Sequence, residues 1–242
     1  EPGDEVITTD FTFAATVEVI SLLKLKPVLV DVDPQTFNIA PKAIEKAITT
    51  KTKAIIPVHL FGQCANMDEI LALAKKHKLY VVEDNAQGIG ATYTFPDGSK
   101  AKTGTLGHVA ATSFFPSKNL GAYGDGGAIF TNDDELAHFI RGIVNHGMYT
   151  RYYHDVVGVN SRLDALQAAV LKIKLQYLDF YNERRKEAAL RYNNYFNDHP
   201  NLIIPHREAD CDSHVYHQYT LRVIDADRDA LVVYLGEHEI PC

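Results

Sequence analysis

The stretch AIIPVHLFGQCANMDEILALAKKHKLYVVED, residues 54–84, places a helical pattern between two short apolar runs. The runs at 54–60 and 80–84 are rich in β-branched residues, which is typical of strands. Between them, Met67, Ile70 and Ala74 recur at helical spacing, and lysines gather at the end of the segment, where cations suit the helix dipole. The stretch therefore predicts a strand, a helix over 67–78 and a second strand.

The same alternation extends along the chain in both directions. Further strand patterns lie at 5–10, 27–32, 109–115 and 127–132, and helical patterns lie at 14–24 and 41–49. Several strand patterns are apolar on both faces, as expected for strands that helices cover on either side. The sequence therefore predicts an α/β fold in which right-handed crossovers join the strands of a mainly parallel sheet.

The C-terminal part has a different pattern. Residues 133–147 predict a capped amphipathic helix, and residues 161–196 predict a very long helix that begins at Ser161. A helix of that length would extend ~50 Å at about 1.5 Å per residue, which is too long for one layer of a domain. We expect it to lead into a second, smaller domain, whose first strand would lie at 214–223.

The predicted organisation is a large domain over 1–160, a long connecting helix over 161–199 and the start of a small α+β domain over 200–242. The chain begins at Glu1 on a turn that feeds a strand, and it stops just after a helical pattern. We therefore expect a fragment that lacks an N-terminal segment and the rest of the small domain.

Composition limits the classes of function. The chain has 242 residues, 46% of them hydrophobic, and a formal net charge of −7, which argues against nucleic acid or an anionic membrane as the main partner. No apolar stretch approaches the roughly 20 residues that span a bilayer. The three cysteines, Cys64, Cys211 and Cys242, are odd in number and widely spaced, so a reducing cytoplasm fits better than a disulfide framework.

Polar residues follow the predicted strands where ligands of parallel sheets bind. Asp84 ends one strand and Gln87 follows it, while Ser113 lies on the strand that leads to Lys118. Phe13 comes just after the first strand. A lysine beside an acid, a hydroxyl and an aromatic ring suggests pyridoxal phosphate, because that cofactor needs an amine for its aldehyde and a carboxylate for its ring nitrogen.

Three motifs make the chain recognisable: VVEDNAQGIGATY, SFFPSKNLGAYGDGGAIFTND and GVNSRLDALQAAVL. They closely resemble the DegT/DnrJ/StrS family of pyridoxal-phosphate-dependent nucleotide-sugar aminotransferases, from Gly3 to about Leu190. The resemblance implies the large domain of fold type I, with a sheet of the seven-stranded type between helices. Two departures, Asn85 where alanine is commoner and Ser117 where glycine is usual, remove no catalytic group.

The resemblance implies a role for each cofactor-site residue. Lys118 resembles the Schiff-base lysine, and Asp84 matches the partner of the pyridinium nitrogen. Gln87 resembles the residue that contacts the ring hydroxyl, and Ser113 the hydroxyl that binds the phosphate. Phe13 corresponds to the aromatic residue that stacks on the ring.

The resemblance also implies a homodimer. Asn160 is similar to the asparagine that reaches the phosphate of the neighbouring subunit, and Arg162 to a residue near that subunit's substrate pocket. The implied reaction moves an amino group from glutamate to the keto-sugar of a nucleoside diphosphate, for polysaccharide or specialised-metabolite synthesis.

Each residue also has a structural interpretation. Lys118 could be a surface lysine, Asp84 a helix cap and Phe13 a core residue. Asn160 could start the long helix with Ser161, and Arg162 could make a surface salt bridge. A zinc site is disfavoured because its candidates match no common spacing; they are His206, Cys211, His214 and His217. No role is predicted for these histidines or for His146.

Three rival functions stay open. A pyridoxal-dependent sugar dehydratase of similar fold would have histidine in place of Lys118. A regulatory or inactive relative would keep the fold without turnover. A nicotinamide-dependent sugar oxidoreductase would need a complete glycine fingerprint near the first strand, where the sequence reads TTDFTF.

Overall fold

The computed structural model describes residues 1–207 and 211–242, and twelve strands lie in that part of the chain. The strands are β1 (Glu5–Thr9), β2 (Lys26–Val30), β3 (Thr52–Ile56), β4 (Tyr80–Asp84), β5 (Thr92–Thr94), β6 (Lys100–Lys102), β7 (Val109–Ser113), β8 (Gly127–Phe130), β9 (Met148–Thr150), β10 (Tyr153–His154), β11 (Leu202–Ile203) and β12 (Arg222–Val223).

Seven α-helices alternate with these strands or follow them in the described residues. They are α1 (Ala14–Leu22), α2 (Pro41–Ala47), α3 (Met67–His77), α4 (Asp134–Ile143), α5 (Ala165–Leu175), α6 (Leu178–Phe196) and α7 (Arg228–Glu237). None of them is long and apolar enough to cross a membrane.

The main sheet has the strand order β2-β1-β3-β4-β7-β8. Every neighbouring pair is parallel except β7 and β8, which are antiparallel. The predicted α/β class with a mainly parallel sheet is therefore confirmed. The described sheet has six strands, where the resemblance implied the seven-stranded type.

The core lies between this sheet and the helices α2 and α3. Ile7, Ile55 and Val81 from the sheet and Ile44 and Ile70 from the helices are fully buried in one cluster. Burying a side chain of this size contributes roughly 1.5–3 kcal/mol relative to leaving it exposed. The apolar residues that predicted the strand–helix–strand unit therefore hold β3, α3 and β4 together.

The long helical pattern at 161–196 forms two helices rather than one. At the end of α5, the N–H of Gln176 bonds to the carbonyl of Ile173 and the N–H of Tyr177 to that of Lys174. These bonds reach back three residues instead of four, so they tighten the last turn and end the helix. The next helix starts at Leu178, and the predicted start at Ser161 is also wrong, since α5 begins at Ala165.

The strand predicted at 214–223 is mostly wrong. Only Arg222–Val223 forms a strand, and it pairs with Leu202–Ile203. The residues before it bond instead to the loop after β3: the N–H of Val215 donates to Gly62 at 2.9 Å, and the N–H of Gln218 donates to Phe61 at 3.2 Å. This segment therefore packs on the connection between β3 and α3, because its backbone partners Phe61 and Gly62 lie there.

Candidate active site

The end of β4 fixes the backbone of Asp84. Its N–H donates to Pro57 at 2.9 Å, and its carbonyl accepts from the N–H of His59 at 3.1 Å. Its carboxylate accepts a hydrogen bond from Thr16 Oγ1 at 2.7 Å and one from the N–H of Ala86 at 3.1 Å. Asp84 is thus held by strand pairing and by side-chain contact. Thr16 was not predicted as a site residue, although it lies only three residues after Phe13.

Behind Asp84 lies a buried hydrogen-bonded pair, Glu83 and His59. Glu83 points to the opposite side of the strand, and its carboxylate meets His59 Nε2 at 2.8 Å, with both side chains fully buried. His59 Nδ1 accepts from the N–H of Ala65, so the ring proton lies on Nε2 and points to Glu83. Burial raises the pKa of Glu83, but the bonds from His59 and the backbone outweigh it and lower that pKa.

Glu83 also ties the loop after β6 to the strand. Its carboxylate accepts from the N–H of Gly104 at 2.7 Å, Leu106 at 2.7 Å and Gly107 at 2.6 Å. A carboxylate with this many donors stays ionised and rigid, because its buried charge is compensated. The pair therefore fixes the strand end that carries Asp84.

Gln87 follows in the loop after β4. Its Oε1 accepts the N–H of Phe61 at 2.5 Å, and no described residue bonds to its Nε2. Phe61 has a φ of 57°, an uncommon conformation for a bulky side chain. The amide is therefore oriented by the backbone after β3, with its N–H groups available for an oxygen of a ligand.

Ser113 and Lys118 lie on either side of a sharp turn. Ser113 ends β7 opposite Gly127, and its Oγ accepts the N–H of Phe115 at 3.2 Å. The N–H of Lys118 donates to the carbonyl of Phe115 at 2.9 Å. A Cβ at Gly121 would lie 2.3 Å from the carbonyl oxygen of Pro116, so the turn requires glycine there.

Burial changes the chemistry of Lys118. The side chain is partly buried, and burial lowers the pKa of its amine, although the carboxylate of Asp84 raises that pKa in part. The two predicted catalytic groups therefore act on each other within one region. An amine with a lowered pKa is deprotonated more readily and becomes a better nucleophile and base.

The residue after Lys118 anchors the turn. Asn119 is buried, and its Nδ2 donates to Asn182 Oδ1 of α6 at 2.8 Å, while its Oδ1 meets His217 Nδ1 at 3.1 Å. The turn is thus bonded to α6 and to the segment after residue 213. No motif in the sequence signalled this contact, because its members lie far apart along the chain.

Phe13 stands at the start of α1 and is 78% exposed, so the interpretation as a core residue is wrong. Its stacking role stays a prediction. Just after β1, the ring of Phe11 instead packs against the rings of Phe37 and Phe61, at ring-centre distances of 5.6 and 6.3 Å. Within the part of the chain that the structure describes, no aromatic ring packs on Phe13.

Asn160 and Arg162 lie together on an exposed segment. Arg162 Nε donates to Asn160 Oδ1 at 3.0 Å, and no described acid pairs with Arg162. Since α5 starts only at Ala165, neither Asn160 nor Ser161 starts a helix. No described hydrogen bond joins Asn160 or Arg162 to Lys118 or Asp84, so their role across a subunit interface stays a prediction.

The histidines form no metal centre in the described residues, where no group of three or more His, Cys, Asp or Glu side chains could hold an ion. The side chain of Cys211 lies outside that part. Burial lowers the pKa of His214 and of His217 to about 4, which keeps both rings neutral near pH 7. His146 is exposed, and its carbonyl accepts from His154 Nδ1 at 2.8 Å.

The donor set fits pyridoxal phosphate. Lys118 supplies an amine of lowered pKa, and Asp84 supplies a carboxylate that two neighbours orient. Gln87 and Ser113 add an amide and a hydroxyl, and Phe13 adds an exposed ring. Each polar group of the cofactor thus has a side chain of matching chemistry.

The chain matches a known protein family over its whole length. The family model of the DegT/DnrJ/EryC1/StrS aminotransferase family matches residues 1–242. The chain therefore belongs to that family.

Two curated relatives are each 52% identical to the chain. One is a pleiotropic regulatory protein of Geobacillus stearothermophilus, matched over 99% of this chain and 63% of its own length. The other is the UDP-2-acetamido-2-deoxy-3-oxo-D-glucuronate aminotransferase of Pseudomonas aeruginosa, matched over 92% of this chain and 60% of its own length. The chain thus spans less than two thirds of the length of these two relatives.

Solved structures give the same result. A DegT/DnrJ/EryC1/StrS aminotransferase from Brucella abortus superposes with a TM-score of 0.92 at 42% identity, over 99% of this chain and 64% of that one. NtdA from Bacillus subtilis, whose structure contains the cofactor PMP, superposes with a TM-score of 0.87 at 34% identity, over 99% and 54%. The fold is therefore that of the aminotransferases.

Proposed function

We propose that the protein is a pyridoxal-phosphate-dependent aminotransferase that acts on nucleotide sugars. The observation that carries the proposal is that the amine of Lys118, whose pKa burial lowers, lies near enough to the carboxylate of Asp84 for that charge to act on it. The family membership supports the same class of reaction.

Lys118 would bind the aldehyde of the cofactor through its amine nitrogen. After release, the free amine would take a proton from the substrate carbon and deliver it to the C4′ carbon of the cofactor. Its lowered pKa supports binding of the aldehyde and removal of the proton, since both need the unprotonated amine. The ammonium group formed by removal of the proton would then be the donor to C4′. The turn at Gly121 fixes the backbone of Lys118 and so orients its side chain.

Asp84 would hold the protonated ring nitrogen, with Thr16 keeping its carboxylate in one orientation. Gln87 would donate to the ring hydroxyl and Ser113 would bind the phosphate. Phe13 would cover the ring face. Pyridoxal phosphate supplies the electron sink that stabilises the carbanion at the substrate carbon.

Glutamate is the proposed amino donor, and a keto-sugar joined to a nucleoside diphosphate is the proposed acceptor. Donation leaves 2-oxoglutarate, and the acceptor ketone becomes an amine. The names of curated relatives support this substrate class, among them the UDP-sugar aminotransferase at 52% identity. The product would serve polysaccharide or specialised-metabolite synthesis.

The proposed assembly is a homodimer, in which Asn160 reaches the cofactor phosphate of the other subunit and Arg162 its substrate pocket. Their exposure supports this role, because the described chain gives them no partner beyond Asn145 and each other. The proposed compartment is the cytoplasm, which suits the odd number of widely spaced cysteines in the sequence.

The test is a half-reaction that needs no sugar. The protein, loaded with pyridoxal phosphate, is mixed with glutamate, and the 2-oxoglutarate released is measured. We expect an amount stoichiometric with the bound cofactor from the wild type and none from Lys118→Ala. Equal release from both proteins would contradict the proposal.

A regulatory protein is the second candidate, favoured by the name of the Geobacillus relative. Such a protein could bind the cofactor yet release no 2-oxoglutarate with glutamate. The same half-reaction therefore distinguishes the two candidates.

A further inference from the structure

A hollow of about 500 Å³ opens beside Lys118, between the turn that carries this residue and the helices α5 and α6. Four of the side chains that line it are cationic: Lys118, Lys174, Arg184 and Arg185. No acidic side chain lines it. The hollow therefore concentrates positive charge next to the predicted catalytic amine.

Only one of these cations is neutralised by an acid within the described residues. Arg184 is exposed and pairs with Glu187 at 2.6 Å. The other three are partly buried and have no ion pair there. Lys174 donates to the carbonyl of Gly121 and lies 6.0 Å from the ring centre of Tyr123. When Lys118 holds the cofactor, the excess charge thus belongs to Lys174 and Arg185, which are partly removed from water.

Backbone carbonyl groups hold the guanidinium of Arg185 in place. Its Nη1 donates to the carbonyls of Tyr216 and His217, both at 3.2 Å. Its Nε and Nη2 have no partner among the described residues. Burial lowers the pKa of the guanidinium. A planar donor group held in place, with free N–H groups, matches the oxygens of a carboxylate or a phosphate.

We infer that this hollow binds an anionic oxygen group of a substrate, with Arg185 as its main ligand and Lys174 as a supporting charge. The inference rests on the proposed aminotransferase function, since Lys118 is placed to react with whatever binds there. Two substrate groups share this chemistry: a carboxylate of the amino donor and the diphosphate of the nucleotide sugar.

The experiment compares Arg185→Gln with the wild type in two binding measurements on the cofactor-loaded protein. Glutamate binding is followed by the change in cofactor absorbance, and UDP and dTDP binding by calorimetry. We expect at least a tenfold weakening in one of the two arms. Weaker glutamate binding identifies the carboxylate, and weaker UDP and dTDP binding identifies the diphosphate.

Arg191→Gln is the matched control, because Arg191 lies on the same helix but does not line the hollow. It should bind both probes as the wild type does. Arg185→Lys keeps the charge but loses the planar donor group, so it should recover part of the affinity.

A change of less than threefold in both arms overturns the inference. If the melting curve shows that Arg185→Gln does not fold, Arg185→Lys is measured instead, with the same threefold threshold. If neither variant folds, Arg185 has a structural role and the inference is overturned. A wild type that does not respond to glutamate would instead refute the proposed function.

Discussion

Thr16 Oγ1 donates to Asp84 Oδ2 across 2.7 Å, so the first turn of α1 orients the carboxylate at the end of β4. Thr16 is itself 5% exposed, and its hydroxyl also meets Thr12 Oγ1 at 2.9 Å. The bond joins two parts of the chain that are 68 residues apart. Thr16 is therefore a positioning residue for the proposed partner of the cofactor ring.

Replacing Thr16 by valine should weaken pyridoxal phosphate binding by about tenfold, since a hydrogen bond to a charged group contributes roughly 1.5–3 kcal/mol. Thr16→Ser keeps the hydroxyl and should bind nearly as well as the wild type. Fluorescence titration with the cofactor measures both. Equal affinity of the valine variant and the wild type would rule out the positioning role.

Glu83→Gln should cost about 3–5 kcal/mol of unfolding free energy, because it leaves His59 and three backbone donors without their buried charge. The control is Glu45→Gln, which removes an exposed ion pair with Lys76 and should cost at most about 1 kcal/mol. Urea unfolding gives both values. Similar losses in the two variants would show that the buried contact of Glu83 and His59 contributes no more to the unfolding free energy than an exposed ion pair does.

Gly121→Ala should destabilise the protein by about 1–3 kcal/mol, because the new methyl group would meet the carbonyl oxygen of Pro116 at 2.3 Å. It should also displace Lys118 and reduce cofactor binding. Gly236→Ala is the matched control, since no atom lies within 4 Å of its Cβ position in α7. That variant should be neutral or more stable by up to about 1 kcal/mol. An unaffected Gly121→Ala protein would contradict the tight turn.

Stability should fall as the pH drops from 7 to 5, with His214 as one cause. Burial lowers the pKa of His214 to about 4, whereas the unfolded chain has a value near 6.5. In that window the unfolded state takes up the proton and the folded state does not, so protonation favours unfolding. The contribution of His214 to the loss is about 1–2 kcal/mol.

Urea unfolding at both pH values checks this. His214→Gln should show a smaller loss than the wild type, and His77→Gln, at an exposed histidine of α3, should behave as the wild type does. An unchanged loss in His214→Gln would exclude the neutral buried ring as a cause.

The sequence predicted the sheet well because its strands are short apolar runs between amphipathic helices. The bounds of α3 and β4 agree with the predicted 67–78 and 80–84 to within a residue. The predicted elements are wrong where tertiary contacts, and not the local sequence, determine the secondary structure. The pattern at 214–223 has strand-forming residues, but its backbone bonds to the loop after β3. The long helix divides after Leu175, where no proline or glycine marks a break.

The residues proposed for the candidate site could be selected from the sequence because they lie in motifs. Asp84, Gln87, Ser113 and Lys118 lie in two segments with family-like spacing. The contacts that hold them come from elsewhere: Asn119 bonds to Asn182 and His217, which are 63 and 98 residues away. Such pairs leave no local pattern, so only the fold reveals them. The same is true of the hollow, whose lining residues come from the turn after β7 and from the helices α5 and α6.

The most direct test of the central claim is the absorbance spectrum of the protein with pyridoxal phosphate, before and after glutamate. The account predicts a band near the edge of the visible range that disappears when glutamate is added and that Lys118→Ala lacks. A band that persists in Lys118→Ala, or a wild type that shows none, would contradict the assignment of Lys118 as the residue that holds the cofactor.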